Sequence, residues 1–106
     1  MIITTSENIA HKEIVETLGL VRGNTIRARH LGRDIGAAIR NLVGGEVTEY
    51  TKLLGEAREQ ALDRMALEAK ELGADAVVTV RFSTSEVMQG AAELLAYGTA
   101  VKLRNV

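Results

Sequence analysis

The sequence has no cysteine and no proline in its 106 residues. Without cysteine there is no disulfide, no thiolate nucleophile and no thiolate metal ligand. Without proline there is no proline-rich spacer and no proline-marked boundary. Aromatic residues make up only 3%, two Tyr and one Phe with no Trp. A stacking platform for nucleic-acid bases is therefore nearly missing. Excess charge is missing as well: 13 Lys plus Arg stand against 14 Asp plus Glu, a formal net charge of −1. Polyanion binders usually carry a clear basic excess. No apolar run approaches the ~20 residues of a membrane span. The start, MIITTSE, lacks the basic opening and long apolar core of a signal peptide. The expectation is a cytoplasmic protein with neither a membrane nor a nucleic acid as partner.

What is present describes one folded domain over 1–106. The hydrophobic set is 46% and charged residues are 25%, ordinary values for a globular chain. The first part reads as strand: Ile2, Ile3, Thr4 and Thr5, then Ile14-Val15 and Leu18 to Val21, then Thr25 to Arg29. Gly23-Asn24 suits a turn or bulge between the last two segments. Gly19 suggests a bend or a close backbone contact. From Arg33 the period becomes helical, with Ile35, Ala38, Ile39 and Leu42 in a short helix that Gly44-Gly45 stops. A longer helix is expected from about 47 to 72, with Thr48 as N-cap and Gly73 as a left-handed C-cap residue. Two strands follow, separated by the turn signal Gln89-Gly90. In the first, Val78, Val80 and Phe82 share a face. In the second, Leu95, Tyr97, Thr99, Val101 and Leu103 share one face, and Ala96, Gly98 and Ala100 the other. That small-residue stripe lets a helix or a second chain come close. The fold class is α+β: an antiparallel or mixed sheet packed on one short and one long helix.

On the long helix, Tyr50, Leu54, Ala57, Ala61, Met65, Ala69 and Leu72 fall in a stripe about 120° wide that should lie on the sheet. Leu53, Leu62, Ala66 and Leu67 extend the apolar surface beyond that stripe. One sheet layer cannot cover so much helix, so a partner subunit is expected. Arg58, Arg64 and Glu68 sit within or beside the stripe, and Arg64 and Glu68 have the i, i+4 spacing of an ion pair. Structurally, these are packed stems and pairs. Functionally, Arg58 and Glu68 would be the polar part of a pocket between subunits, with Arg58 holding an anion or carboxylate.

Other chemistry is weakly signalled. Candidate metal ligands are His11 with Glu7 and His30 with Asp34, but a catalytic zinc site needs three ligands in a recognised spacing. A symmetric ring could gather one His from each chain. Ser6, Ser83 and Ser85 lack a nucleophile elbow. Glu46 and Glu49 read as a solvated helix start. Gly44-Gly45 precedes a helix N-terminus, but no Lys follows as in a phosphate-binding loop. Arg22, Arg27, Arg29, Arg33 and Arg40 make the first half locally basic, which reads as a solvated strand face or subunit salt bridges.

Four blocks are distinctive: LVGGEVTEY at 42–50, EAREQA at 56–61 with Glu68-Ala69, LGADAVV at 72–78, and YGTAVK at 97–102. In that order they resemble the YbjQ-like family, small bacterial and archaeal proteins labelled "putative heavy-metal-binding". The resemblance runs from the first strand to Arg104. It implies a dodecin-like α+β subunit in a ring-shaped homopentamer, in line with the over-wide helix surface. It marks Arg40, Gly44, Gly45, Tyr50, Arg58 and Glu68 as positions for a family pocket. His11 and His30 are the metal alternatives, for a divalent transition metal. The resulting expectation is a non-enzymatic, oligomeric protein that binds a small ligand or metal between subunits. The rivals are an enzyme with a composite interface site and a purely structural ring.

Overall fold

The structure is a computed structural model and describes residues 1–27, 48–88 and 91–106. The elements are β1 (Ile2–Ile3), β2 (Lys12–Arg27), α1 (Thr48–Glu71), β3 (Ala76–Met88) and β4 (Ala91–Asn105). The expected short helix, the Gly44-Gly45 stop and Gln89-Gly90 lie outside the described residues. The sheet order is β1-β3-β4-β2. β1 runs parallel to β3, and the two other pairings are antiparallel, so the sheet is mixed. Backbone bonds extend the short β1 ladder: Thr4 N–H donates to the Val77 carbonyl at 3.0 Å, and Val80 N–H to the Thr4 carbonyl at 3.0 Å.

α1 ends as its sequence predicts. Gly73 takes a left-handed φ of 81°, which glycine adopts without a Cβ penalty. Its N–H donates to the Lys70 carbonyl at 3.0 Å, and Ala74 N–H to the Ala69 carbonyl at 3.1 Å. These two bonds form a Schellman motif.

The predicted stripe is the buried one where it crosses the sheet. Ala57, Ala61, Met65 and Ala69 are buried, and they pack with Val21, Val77, Val80, Ala96 and Ala100. Leu54 is half-buried, whereas Leu72 and Leu67 are exposed. The small-residue face of β4 does lie under the helix. With Ala on both sides, the helix backbone comes down onto the sheet. Thr25, itself buried, donates its hydroxyl to the Ala57 carbonyl at 3.4 Å.

Gly23 is where the close approach is tightest. A Cβ there would lie 2.2 Å from the Ala61 carbonyl oxygen and 2.4 Å from the Met65 nitrogen. Gly23-Asn24 is therefore not a turn: β2 runs through it, and Gly23 makes room for α1. The bend falls at Gly19 instead, where φ is 121° and the β2–β4 register slips between Thr17 and Gly19.

β3 also departs from simple alternation. Thr79 has φ 55°, and the β3–β4 register slips between Val78 and Arg81. This bulge flips the phase. Val77 and Val80 face the helix, whereas Val78 joins Ala76 and Val101 in a second cluster, with Ile9, Ile14 and Leu103 packed against it. The expected shared face of Val78 with Val80 is thereby corrected.

Candidate functional site

Arg58 and Glu68, the expected polar part of a pocket between subunits, both lie on α1. They are ten residues apart on α1, about 15 Å along its axis. Arg58 is exposed on a flank of the helix shared with Lys52, Glu56, Glu59 and Asp63. Glu68 is half-buried. Arg64 does not pair with Glu68: its guanidinium donates to the Asn24 carbonyl at 2.5 Å, tying α1 to β2. Among the described residues the ion pair is Arg104 with Glu13, both exposed, a geometry that contributes little. Tyr50 lies in the first turn of α1. Arg40, Gly44, Gly45 and His30 lie outside the described residues.

His11 sits in the turn before β2 with φ 63°, and its carbonyl accepts the Val106 N–H at 3.2 Å. Its side chain is exposed. Among the described residues, no three His, Cys, Asp or Glu gather into a group that could hold a metal. Nor is any helix among them long and apolar enough to cross a membrane.

The sheet face turned away from α1 carries a constellation that sequence reading missed. Residues directly opposite on antiparallel strands share a face. Register sets β2, β4 and β3 side by side in rows: Leu20–Thr99–Val78, Arg22–Tyr97–Arg81, Asn24–Leu95–Ser83 and Ile26–Glu93–Ser85. Leu20 is 62% and Ile26 58% exposed, while Leu95 and Tyr97 are half-buried. Tyr97 is flanked by an arginine on each side. The Arg81 Nη1 donates to the Thr5 carbonyl at 3.0 Å and to the Val80 carbonyl at 2.9 Å. Arg22 makes no hydrogen bond or ion pair among the described residues. The Asn24 amide donates to Glu93 Oε2 at 3.1 Å. Alternation alone places Tyr97 on the face opposite the Ala96-Gly98-Ala100 stripe. The arginines at its sides depend on two cross-strand registers and the Thr79 bulge.

Comparison with known proteins gives a consistent answer. Residues 1–104 match the model of the YbjQ family, described as "Putative heavy-metal-binding". A UPF0145 protein of Methanosarcina acetivorans is 63% identical over 105 residues, covering 99% of each chain. One of Archaeoglobus fulgidus is 62% identical over 104 residues, covering 98% of this chain and 96% of that protein. A crystal structure of a protein of unknown function from Pediococcus pentosaceus, assigned to the DUF74 family, has the same fold. Its TM-score is 0.64 at 17% identity, over 98% of each chain. The described donors do not fit the metal in that family description. Soft heavy metals select thiolates, and this chain has no Cys and two His.

Proposed function

The chain belongs to the YbjQ-like family, and from that premise we propose that it is a self-assembling subunit, ring-forming in fives, that binds a small ligand in clefts between copies. One observation carries the reading: among the described residues, the sheet face away from α1 carries exposed and half-buried apolar side chains beyond its small second core cluster. An antiparallel sheet tolerates water on one side when its outward residues are polar. Here the outward positions include Leu20, Ile26, Leu95 and Tyr97. The subunit count of five comes from the family resemblance. The donor set supports an organic or anionic ligand over a thiophilic metal.

Native mass spectrometry tests the assembly. The wild-type protein should give one closed species of five chains. Leu20→Glu with Ile26→Glu puts two charges on the face without touching the helix-side core. The double variant should fall to monomer with its circular dichroism retained. A wild-type monomer at micromolar concentration would overturn the reading. So would a double variant that keeps the full mass.

A further inference from the structure

We propose that the flank of α1 that faces β3 is the second assembly patch of this chain, and that it seats the sheet face of the next copy. The inference rests on the reading of the chain as a ring-forming subunit, and it names the surface that completes each contact.

A two-fold contact brings the same patch together from both chains, whereas a ring of more than two chains is built head to tail from two different patches. The sheet face that carries Leu20, Ile26, Leu95 and Tyr97 is one of them. It cannot close such a ring on its own kind, so the ring needs a different surface of the same chain.

That surface lies on the other side of the sheet, where α1 leaves β3 bare. The helix crosses toward β2: Gly23 lies under Ala61 and Met65, and Arg64 reaches the Asn24 carbonyl. In the row of Gly23, Ala96 of β4 is fully buried. Phe82 of β3 stands directly opposite Ala96 and therefore shares its face, yet it is 45% exposed. Helix geometry turns Leu62 and Ala66 toward β3, since they lie about 60° and 100° round from Met65 on the side opposite Arg64. Both are half-buried. Farther along, Ala66, Leu67, Ala74 and Met1 line a shallow cleft together with Asp63 and Lys70, and Leu67 is 57% exposed. An apolar strip thus follows the flank from Phe82 to Met1.

Charge indicates which surface seats here. The flank has a carboxylate, Asp63, near its middle and an ammonium, Lys70, about 10 Å farther along the helix axis. The sheet face has the reverse order: Arg22 near its middle and Glu93 four residues along, about 13 Å. The side chains of Asp63, Lys70 and Arg22 make no hydrogen bond or ion pair among the described residues. Laid together, Asp63 meets Arg22 of the partner subunit and Lys70 meets Glu93 of the partner subunit, with apolar side chains between them. Opposed charge patterns of this kind fix register and reject the reversed docking.

Two variants test the proposal, read by native mass spectrometry with circular dichroism as the check on folding. Leu20→Glu with Ile26→Glu disables the sheet face, and Phe82→Glu with Leu67→Glu disables the flank. Each alone should be monomeric. Mixed in equal amounts, they should give a one-to-one heterodimer and nothing larger, because one intact flank meets one intact sheet face and the other two patches are blocked. Leu67→Glu alone replaces the flank pair if the pair unfolds the chain. A flank variant that keeps the full mass overturns the proposal: something other than a second copy then covers the flank, and the sheet-face reading stands if its own variant dissociates. A flank variant that dimerises with itself overturns it too, since the sheet face then pairs with its own kind. So does a mixture that stays monomeric. A wild-type monomer overturns the assembly reading, and this inference falls with it.

Discussion

Gly23→Ala is expected to cost about 3 kcal/mol or more of subunit stability, at or beyond the upper end for overpacking. The added Cβ would sit 2.2 Å from the Ala61 carbonyl oxygen, 2.4 Å from the Met65 nitrogen and 2.8 Å from the Arg64 Cβ. The first two are helix backbone and cannot rotate aside. Real Cβ atoms essentially never come within 3.0 Å of such atoms. The helix must therefore retreat from β2 or β2 must bend. Either movement opens the contacts of Ala57, Ala61, Met65 and Ala69 with the sheet, where even a sub-ångström gap forfeits much of the dispersion energy. Gly55→Ala is the matched control. It lies on the same helix, and its Cβ would meet only Arg58 Nη2, at 3.8 Å. There the substitution should stabilise by up to about 1 kcal/mol, the helix propensity difference. Urea unfolding followed by circular dichroism reads both. A Gly23→Ala midpoint equal to that of wild type would mean that the helix does not press on β2.

Gly23 also shows where sequence reading succeeds and where it stops. Helical periodicity identified Ala57, Ala61, Met65 and Ala69 because a 3.6-residue repeat leaves one face for the sheet. Gly73 was legible because a glycine after the last apolar turn has one common use. The Ala96-Gly98-Ala100 stripe was legible because small residues at every second position define a face. Gly23-Asn24 was misread because a turn and a close helix crossing use the same residue. What separates them is the helix some forty residues later in the chain. The β3 phase was misread at Thr79, since a β-branched residue carries no signal of positive φ. β1 was read as strand, but its parallel pairing with β3 is a matter of topology. Arg64 was paired with Glu68 from spacing alone, while tertiary structure brings the Asn24 carbonyl within reach. The Arg22–Tyr97–Arg81 row was invisible for a like reason. Its members are separated by 75 and 16 positions in the chain, and only register aligns them.

Met65→Ala is the second large effect, expected at about 3–5 kcal/mol, the upper part of the range for such truncations. Among the described residues Met65 is the largest fully buried side chain, and the cluster around it is Val21, Ala61, Ala69, Val77, Val80, Ala96 and Ala100, with Leu18, Leu62 and Ala74 packed at its edge. Alanine has no side-chain torsion and valine has one stiff one. The fully buried neighbours cannot swing into the space; only Leu18 and Leu62, half-buried at the edge of the cluster, have the torsions to reach in, and whatever cavity they leave adds its cost to the lost transfer energy. Set against a domain stability of about 5–15 kcal/mol, the variant approaches the limit of folding. The same titration separates subunit stability from assembly. Met65 lies between helix and sheet, on the opposite side from the Arg22–Tyr97–Arg81 row. If the protein self-assembles through that row's face, the wild-type midpoint rises with protein concentration. Met65→Ala should lower the midpoint at every concentration and leave that dependence in place, whereas Leu20→Glu with Ile26→Glu should abolish it. A loss below about 1 kcal/mol for Met65→Ala, small for a buried methionine, would mean that α1 settles into the gap. A helix free to settle is also free to retreat, so the cost predicted at Gly23 would have to fall with it.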